Sequence, residues 1–469
     1  MKLIFEILVV LSVTGSYGQN TCNIYCDGRN PDLSIDTRVI LSTELFGRQI
    51  SLYISDADNM GFAEISNGDP TDLIWLDRSW DGGISWTGKL GEVTIPTGSR
   101  STNTMLYNVD NPADRQIGAL RACGQPGNRD VIACTGWARS SVSAGTPVDA
   151  AATALMQFYD GTLWPTTGWW NGANCLQAII DYIKVTGNRN YLYVVDEVFE
   201  KNKDLHDGNF TNEYIDDTLW WGLAWVGAYD ITGDNKYLEM AKVDSDYSYL
   251  YKDDVCGGGL WWKTDRNYKN AIPNELFIKL AASLHNRIPG DTMYLNQAVE
   301  VVEWFKMSGM INAENLINDG LTSDCRNNGQ VTWSYNQGVI LGGLVELAIA
   351  SGDPDGSYIK LATDITNAVI QSSNLNPNGI LYEYGCEGGG GDCGGDGPSF
   401  KGIFTRNLGE LDRYLPNRPY KSWLEAQAAS NWNNNRNSLN QFGVHWSGPF
   451  DRANGANQHS AFEAFTAAV

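Results

Sequence analysis

Asp216 and Asp217 stand side by side at the head of a stretch that continues Thr218-Leu219-Trp220-Trp221-Gly222-Leu223-Ala224-Trp225. Two carboxylates a few ångströms apart resist joint ionisation, so the pKa of one is pushed up while the other stays low. Such a pair offers an acid from one member and a nucleophile or base from the other, the division of labour that glycoside hydrolysis requires. The plainer reading is a helix start, because acidic side chains in a first turn complement the macrodipole. Other polar and aromatic residues gather in short segments: Trp169-Trp170-Asn171, Trp261-Trp262, Asn270, Tyr335-Asn336-Gln337, and Lys401 with Arg406. Aromatic faces suit the C–H faces of a neutral sugar, and amides and carboxylates suit its hydroxyls. Many of the 17 Trp and 22 Tyr must nonetheless fill a core.

The elements that must position these groups change character near residue 145. Before it, short β-type runs such as Arg38–Leu41, Ile50–Ile54 and Gly91–Pro96 alternate with Gly, Asp and Pro, which predicts an antiparallel β module over 19–145. Within it, Ser79-Trp80-Asp81-Gly82-Gly83-Ile84-Ser85-Trp86 resembles a single Asp-box hairpin. One copy makes no propeller, so it reads as a folding device. After residue 145 the apolar period is helical, and twelve helices are expected at roughly 148–159, 174–186, 189–201, 216–231, 236–252, 270–286, 291–308, 335–351, 357–372, 400–414, 419–432 and 457–468. Thr186-Gly187-Asn188, Thr232-Gly233-Asp234 and Ser351-Gly352-Asp353 close helices at tight turns. Tight turns alternating with long Gly- and Trp-rich loops predict six hairpins in a ring, an (α/α)6 barrel over 146–469, with a cleft among the long loops.

The chain of 469 residues carries a formal charge of −22, which disfavours nucleic acid and anionic membranes as partners. Residues 1–18 read as a secretory signal peptide, and no later stretch reads as a membrane span or as a lipid-anchor tail, so an exported extracellular protein is expected. Nine cysteines fit an oxidising compartment. The spacings Cys22/Cys26, Cys123/Cys134 and Cys386/Cys393 suggest local bridges, with Cys175 the candidate free thiol. No cysteine has zinc-ligand company and there are four histidines, so neither metal nor cofactor is expected. The glycines 388–391 lack the strand and the Gly-Lys-Ser/Thr of a phosphate loop and read as a disulfide-bounded surface loop. Asn209-Phe210-Thr211 is a glycosylation sequon seven residues before Asp216.

Four segments accompany the aspartates in order: Gly168-Trp169-Trp170-Asn171-Gly172, Gly257-Gly258-Gly259-Leu260-Trp261-Trp262, Tyr335-Asn336-Gln337-Gly338 and Phe400-Lys401-Gly402-Ile403-Phe404. Together they resemble glycoside hydrolase family 76, the α-1,6-mannanases and their fungal cell-wall relatives, over roughly residues 149–468. The resemblance implies an (α/α)6 barrel that cleaves α-1,6-linked mannan with retention, with Asp216 as nucleophile and Asp217 as general acid/base. It implies an α-mannan poly- or oligosaccharide as partner, met by a monomer. Neighbours on a helix differ by about 100° in direction, yet from a first turn facing a cleft both carboxyls can reach one sugar. A separation of about 5–5.5 Å suits retention, and adjacent aspartates fit it more naturally than the longer spacing of inversion. In each tryptophan pair, Trp169-Trp170 and Trp261-Trp262, one ring is expected to pack into the protein and the other to floor a subsite. Asn171, Tyr335, Asn336 and Gln337 stand for sugar contacts or for capping and core. Asn270 reads as a cap with a sugar contact second, and Lys401 and Arg406 as cations balancing the acidic pair. Transglycosylation of mannan and non-catalytic mannan binding are the rival functions.

Overall fold

A helix apolar on every side must be surrounded by other elements, whereas one with a single apolar stripe belongs at a surface. Both kinds occur in the computed structural model, which describes residues 26–469 except 35, 81–82, 84, 112–115, 143–144, 354–355, 389–393 and 438. The expected signal peptide, Cys22, Cys393 and much of the glycine stretch lie outside the described residues, as do Asp81, Gly82 and Ile84 of the Asp-box-like hairpin. The chain divides into two compact units. One comprises residues up to Arg78 with Thr87–Ser140, the other Ser79–Trp86 with Ser141–Val469.

The larger unit contains α1 (Pro147–Met156), α2 (Trp169–Thr186), α3 (Tyr193–Asn202), α4 (Ile215–Thr232), α5 (Asn235–Tyr249), α6 (Ala271–Arg287), α7 (Met293–Met307), α8 (Ser334–Ser351), α9 (Ser357–Gln371), α10 (Tyr384–Glu387), α11 (Phe400–Tyr414), α12 (Lys421–Asn434) and α13 (Gly455–Ala468). Helices α2, α4, α6, α8, α11 and α13 pack each against the next, and α13 closes on α2. The others lie outside this ring: α5 against α4 and α6, α7 against α6 and α8, α9 against α8, α12 against α13, and α1 against α13 and α2. This is the (α/α)6 barrel. Ring helix α4 buries Leu219, Trp220, Trp221, Ala224 and Trp225 on every side, while outer helix α9 buries Ala362, Ile365, Thr366 and Val369 along one stripe.

The twelve expected helices are all present. The second starts five residues early, because Asn171 Oδ1 accepts the Gly168 N–H (3.1 Å) and caps a first turn made of the two tryptophans. The four-residue α10 was not foreseen; it is too short to carry a period. Left-handed Gly187, Gly233 and Gly352 end α2, α4 and α8. Tight turns thus follow the C-termini of ring helices and long loops precede their N-termini, which puts the head of α4 among the long loops. Cys256–Cys325 joins two of those loops across 69 positions, and Cys123–Cys134 forms as its spacing suggests. Cys26 and Cys386 are disulfide-bonded and Cys175 is free and buried.

In the smaller unit, strands β1 (Arg38–Leu45), β2 (Arg48–Ser55), β3 (Met60–Ser66), β4 (Leu73–Ser79), β5 (Thr87–Thr94), β6 (Thr102–Asn103), β7 (Tyr107–Asn108), β8 (Ala119–Gln125) and β9 (Ala133–Cys134) form two antiparallel sheets. One runs β1-β2-β3-β6, with β7 also on β3; the other runs β5-β4-β8-β9. Ile50, Leu52 and Ile54 alternate inward and pack on Ile74, Leu76, Leu120 and Ala122 of the second sheet.

Candidate active site

The first turn of α4 carries the acidic pair. Backbone pairing of Tyr214 with Lys263, and the Ile215 N–H donated to the Trp262 carbonyl (2.8 Å), dock the loop before α6 onto this turn. That docking sets the Trp262 ring beside Asp216, where its Nε1–H donates to Oδ2 (3.1 Å). The other oxygen, Oδ1, is buried and has no partner. Asp217 is held by the Asn212 amide, which donates to Oδ2 (2.7 Å) while its own Oδ1 accepts the Tyr214 N–H (2.8 Å).

Burial pushes both carboxyls up. Asp217 rises to about 7, its Asn212 hydrogen bond opposing the shift and the charge of Asp396 adding to it. Asp216 is raised well above the carboxylate range by burial first and by its neighbour second, against the pull of the Trp262 N–H. The sequence predicted one pKa raised and one low; desolvation lifts both, because among the described residues no cation reaches either.

Asp216 opens onto a cleft of about 170 Å³. Trp170, Trp262, Asn270 and Tyr335 line it, together with Trp220, Tyr268, Asp319, Asp396 and Phe400, which sequence reasoning did not assign to the site. Trp170 lies between Trp220 (5.6 Å) and Phe400 (6.3 Å) and donates its Nε1–H to Asp396 (2.8 Å). Tyr335 stacks on Phe400 at 3.9 Å and 9°. Tyr268 donates its hydroxyl to Asp319 (2.5 Å) and accepts from Asn328 (2.9 Å). Asn270 is the residue before α6, makes no capping bond, and keeps its Oδ1 buried without a partner. Asp319 and Asp396 sit in Asn-Asp-Gly and Gly-Asp-Gly-Pro contexts that read as turns, so no local signal marks them.

The remaining expected site residues lie away from this lining. Each tryptophan pair sends one ring inward and the other into the cleft. Trp169 packs on His206 and Trp221 (4.5 and 4.8 Å), and Trp261 is buried, donating to Asp253 (2.7 Å). Asn171 caps α2 and donates to Ser399 (2.7 Å). Gln337 pins the Ile317 backbone from both sides (2.7 and 2.8 Å), and Asn336 is fully buried with neither amide atom bonded. Neither cation balances the aspartates. Lys401 is buried against Glu387 and the Val444 carbonyl, and Arg406 is paired with Glu463 (2.6 Å) and Asn174 (2.9 Å). A buried cation takes a carboxylate within contact distance, and here those partners come from α10 and α13.

Barrel, long-loop cleft and paired aspartates define the class, an (α/α)6-barrel glycoside hydrolase. The chain belongs to glycosyl hydrolase family 76, whose family model matches residues 145–469. It is similar to mannan endo-1,6-alpha-mannosidase DFG5 of Saccharomyces cerevisiae, 29% identical over 292 residues that cover 55% of this chain and 63% of that protein. The match thus spans just under two thirds of that relative's length. Among solved structures it is similar to an α-1,6-mannanase of Salegentibacter sp., in an inactive variant with two consecutive aspartates replaced by alanine and bound to α-1,6-mannotetrose. That likeness has a TM-score of 0.61 at 25% identity over 69% of this chain and 97% of the other. A family 76 glycoside hydrolase from Bacteroides thetaiotaomicron shares the fold, with a TM-score of 0.57 at 16% identity over 92% of this chain and 98% of that one.

Proposed function

We propose that this chain is an exported, retaining endo-α-1,6-mannanase acting by double displacement. The observation that carries the reading is the half-buried Asp216–Asp217 pair, of which Asp216 lines a cleft walled by Trp170 and Trp262. The likeness to mannan endo-1,6-alpha-mannosidases supports mannan as substrate, and the disulfides support an oxidising compartment. In the reactive state the pair carries one proton. Burial raises Asp216 further than Asp217, so the productive arrangement, with the charge on Asp216 beside the Trp262 N–H and the proton on Asp217, is the minor placement of that one proton, drawn on as Asp216 meets the anomeric carbon. The Asp216 carboxylate bonds to the anomeric carbon as the glycosidic C–O bond breaks, and the Asp217 proton passes to the departing oxygen. Water then attacks the same carbon and gives its proton to Asp217, releasing the Asp216 carboxylate and a mannose end of unchanged configuration.

The test is incubation with linear α-1,6-mannan, following product size and anomeric form by NMR, with Asp217→Asn as control. Short products that appear first as the α-anomer, and are missing from the control, are expected. β-Anomers appearing first would overturn retention. Products longer than the input would establish transglycosylation instead, and binding without turnover would leave a mannan-binding protein.

A further inference from the structure

We propose a second saccharide-binding site beside the cleft, built around Tyr384 and taking the same neutral mannan chain further along its length. The inference rests on the mannan reading given above. A cavity of about 400 Å³ opens in the loop between α9 and α11, lined by Tyr382, Tyr384, Asn374, Asn378 and Ser447 over an apolar floor. Its volume is in the range of small-molecule sites, about 300–1,000 Å³. Among the described residues no charged side chain lines it, in a protein of charge −22. Phenol rings, amides and hydroxyls without charge match a neutral sugar, which offers C–H faces and hydroxyls together.

Tyr384 is 63% exposed, yet the short helix that carries it is fastened on its other side. Glu383, fully buried, accepts the Ser334 N–H (3.1 Å) and hydroxyl at the head of α8. Cys386 is disulfide-bonded, and Glu387 is paired with the buried Lys401 of α11. Three attachments therefore hold the backbone of α10 in place with Tyr384 exposed on it, a fixed base for a binding platform.

An aromatic path joins this platform to the cleft. Phe400 of the cleft meets Trp333 edge-on at 5.5 Å. Trp333 also draws down the pKa of Asp319, a second residue of the cleft lining, against the rise that burial causes. A Cβ on Gly385 would lie 2.5 Å from the Trp333 ring, so the missing side chain lets that ring rest on the backbone next to Tyr384. A polymer leaving the cleft over Phe400 and Trp333 thus arrives at Tyr384.

The experiment compares Tyr384→Ala with wild type on long linear α-1,6-mannan and on the α-1,6-linked tetramer. The expected result is a KM for the polymer raised about fivefold or more, with the tetramer KM moved less than about twofold. Tyr384→Phe, which keeps the ring, restores the polymer value. Unchanged polymer KM, or equal rises on both substrates, would overturn the second site. Retardation of the Asp216→Asn, Asp217→Asn double variant by mannan in affinity electrophoresis, reduced by adding Tyr384→Ala, reads the site without turnover. An inactive wild type whose retardation still depends on Tyr384 would therefore sink the mannanase reading alone.

Discussion

Both ends of the barrel hold clusters of acidic side chains, most of them half-buried, and they treat them in opposite ways. At the tight-turn end, Asp230 of α4 accepts two bonds from Arg287 of α6 (2.7 and 2.8 Å) and one from Lys184 of α2 (3.2 Å), and Arg287 also reaches Glu346 of α8 (3.3 Å). Lys279 spans to Glu410 and Asn407 of α11 (2.7 Å each). Asp230 and Glu410 are held below the usual carboxylate range although burial pulls them up. Even here Asp181, with one oxygen buried and unpartnered, is pushed up. At the cleft end, Asp216, Asp217 and Asp319 are half-buried and all three are raised. The difference is the reach of a cation. One end turns charge into a clamp across neighbouring helices, and the other leaves its carboxyls with raised pKa values and without a cation among the described residues.

The comparison breaks most visibly if the cleft acids are made neutral. Asp216→Asn and Asp217→Asn are each expected to lower mannan turnover by about 10³-fold or more with the far-UV dichroism unchanged. Near-wild-type turnover in either single variant would end the assignment. At the other end, Lys279→Met leaves Glu410 without its partner, and denaturant melts should show a loss of about 2–3 kcal/mol with specific activity per folded molecule retained. A stability unchanged by that substitution would mean the far-end pairs are no clamp.

Trp262→Phe keeps a ring in the cleft and removes the N–H from Asp216. Turnover should fall about tenfold, and the acid limb of the pH–rate profile should move up, since Asp216 loses the donor that favours its charge. A fall in turnover with an unmoved acid limb would reduce Trp262 to a packing role.

The smallest effect is on pH-dependent melting. Asp217 has a folded pKa of about 7 against an ordinary 3.8, so the stability it contributes is complete below 3.8 and lost as the pH rises toward 7. Asp230 is lowered, so its contribution is present above 3.8 and lost as the pH falls below it. Asp217→Asn should therefore melt above wild type at pH 7–8, by on the order of 1–2 kcal/mol, and level with it near pH 4. A higher melting point that persists unchanged at pH 4 would show that the gain is not titration. The activity itself should decline above about pH 7, as Asp217 gives up the proton it must donate.

Much of this was legible locally. Outer helices such as α9 carry an apolar stripe of 3.6-residue period, ring helices such as α4 read as apolar runs closed by a Gly turn, and each tryptophan pair sends one ring inward and one into the cleft. The misreadings concern partners in space. Lys401 and Arg406 look like counter-ions to the aspartates because no sequence window contains both Lys401 and the folded position of Glu387, or both Arg406 and Glu463. Cys256–Cys325 escaped for the same reason, its halves lying in different long loops.

By itself, the sequence determined the β-rich start, the helical hairpins, the tight-turn and long-loop alternation, and the adjacency of Asp216 and Asp217 at a helix head. Those properties are local: a periodicity or a cap is complete within one or two turns of chain. Only the tertiary structure decided that Asp319 and Asp396 join Asp216 at one cleft, that Lys401 and Arg406 are spent on Glu387 and Glu463, and that Asp216, Asp217 and Asp319 meet no cation among the described residues. Desolvation and charge pairing are properties of the space around a group, and closure of the helix ring is what created that space.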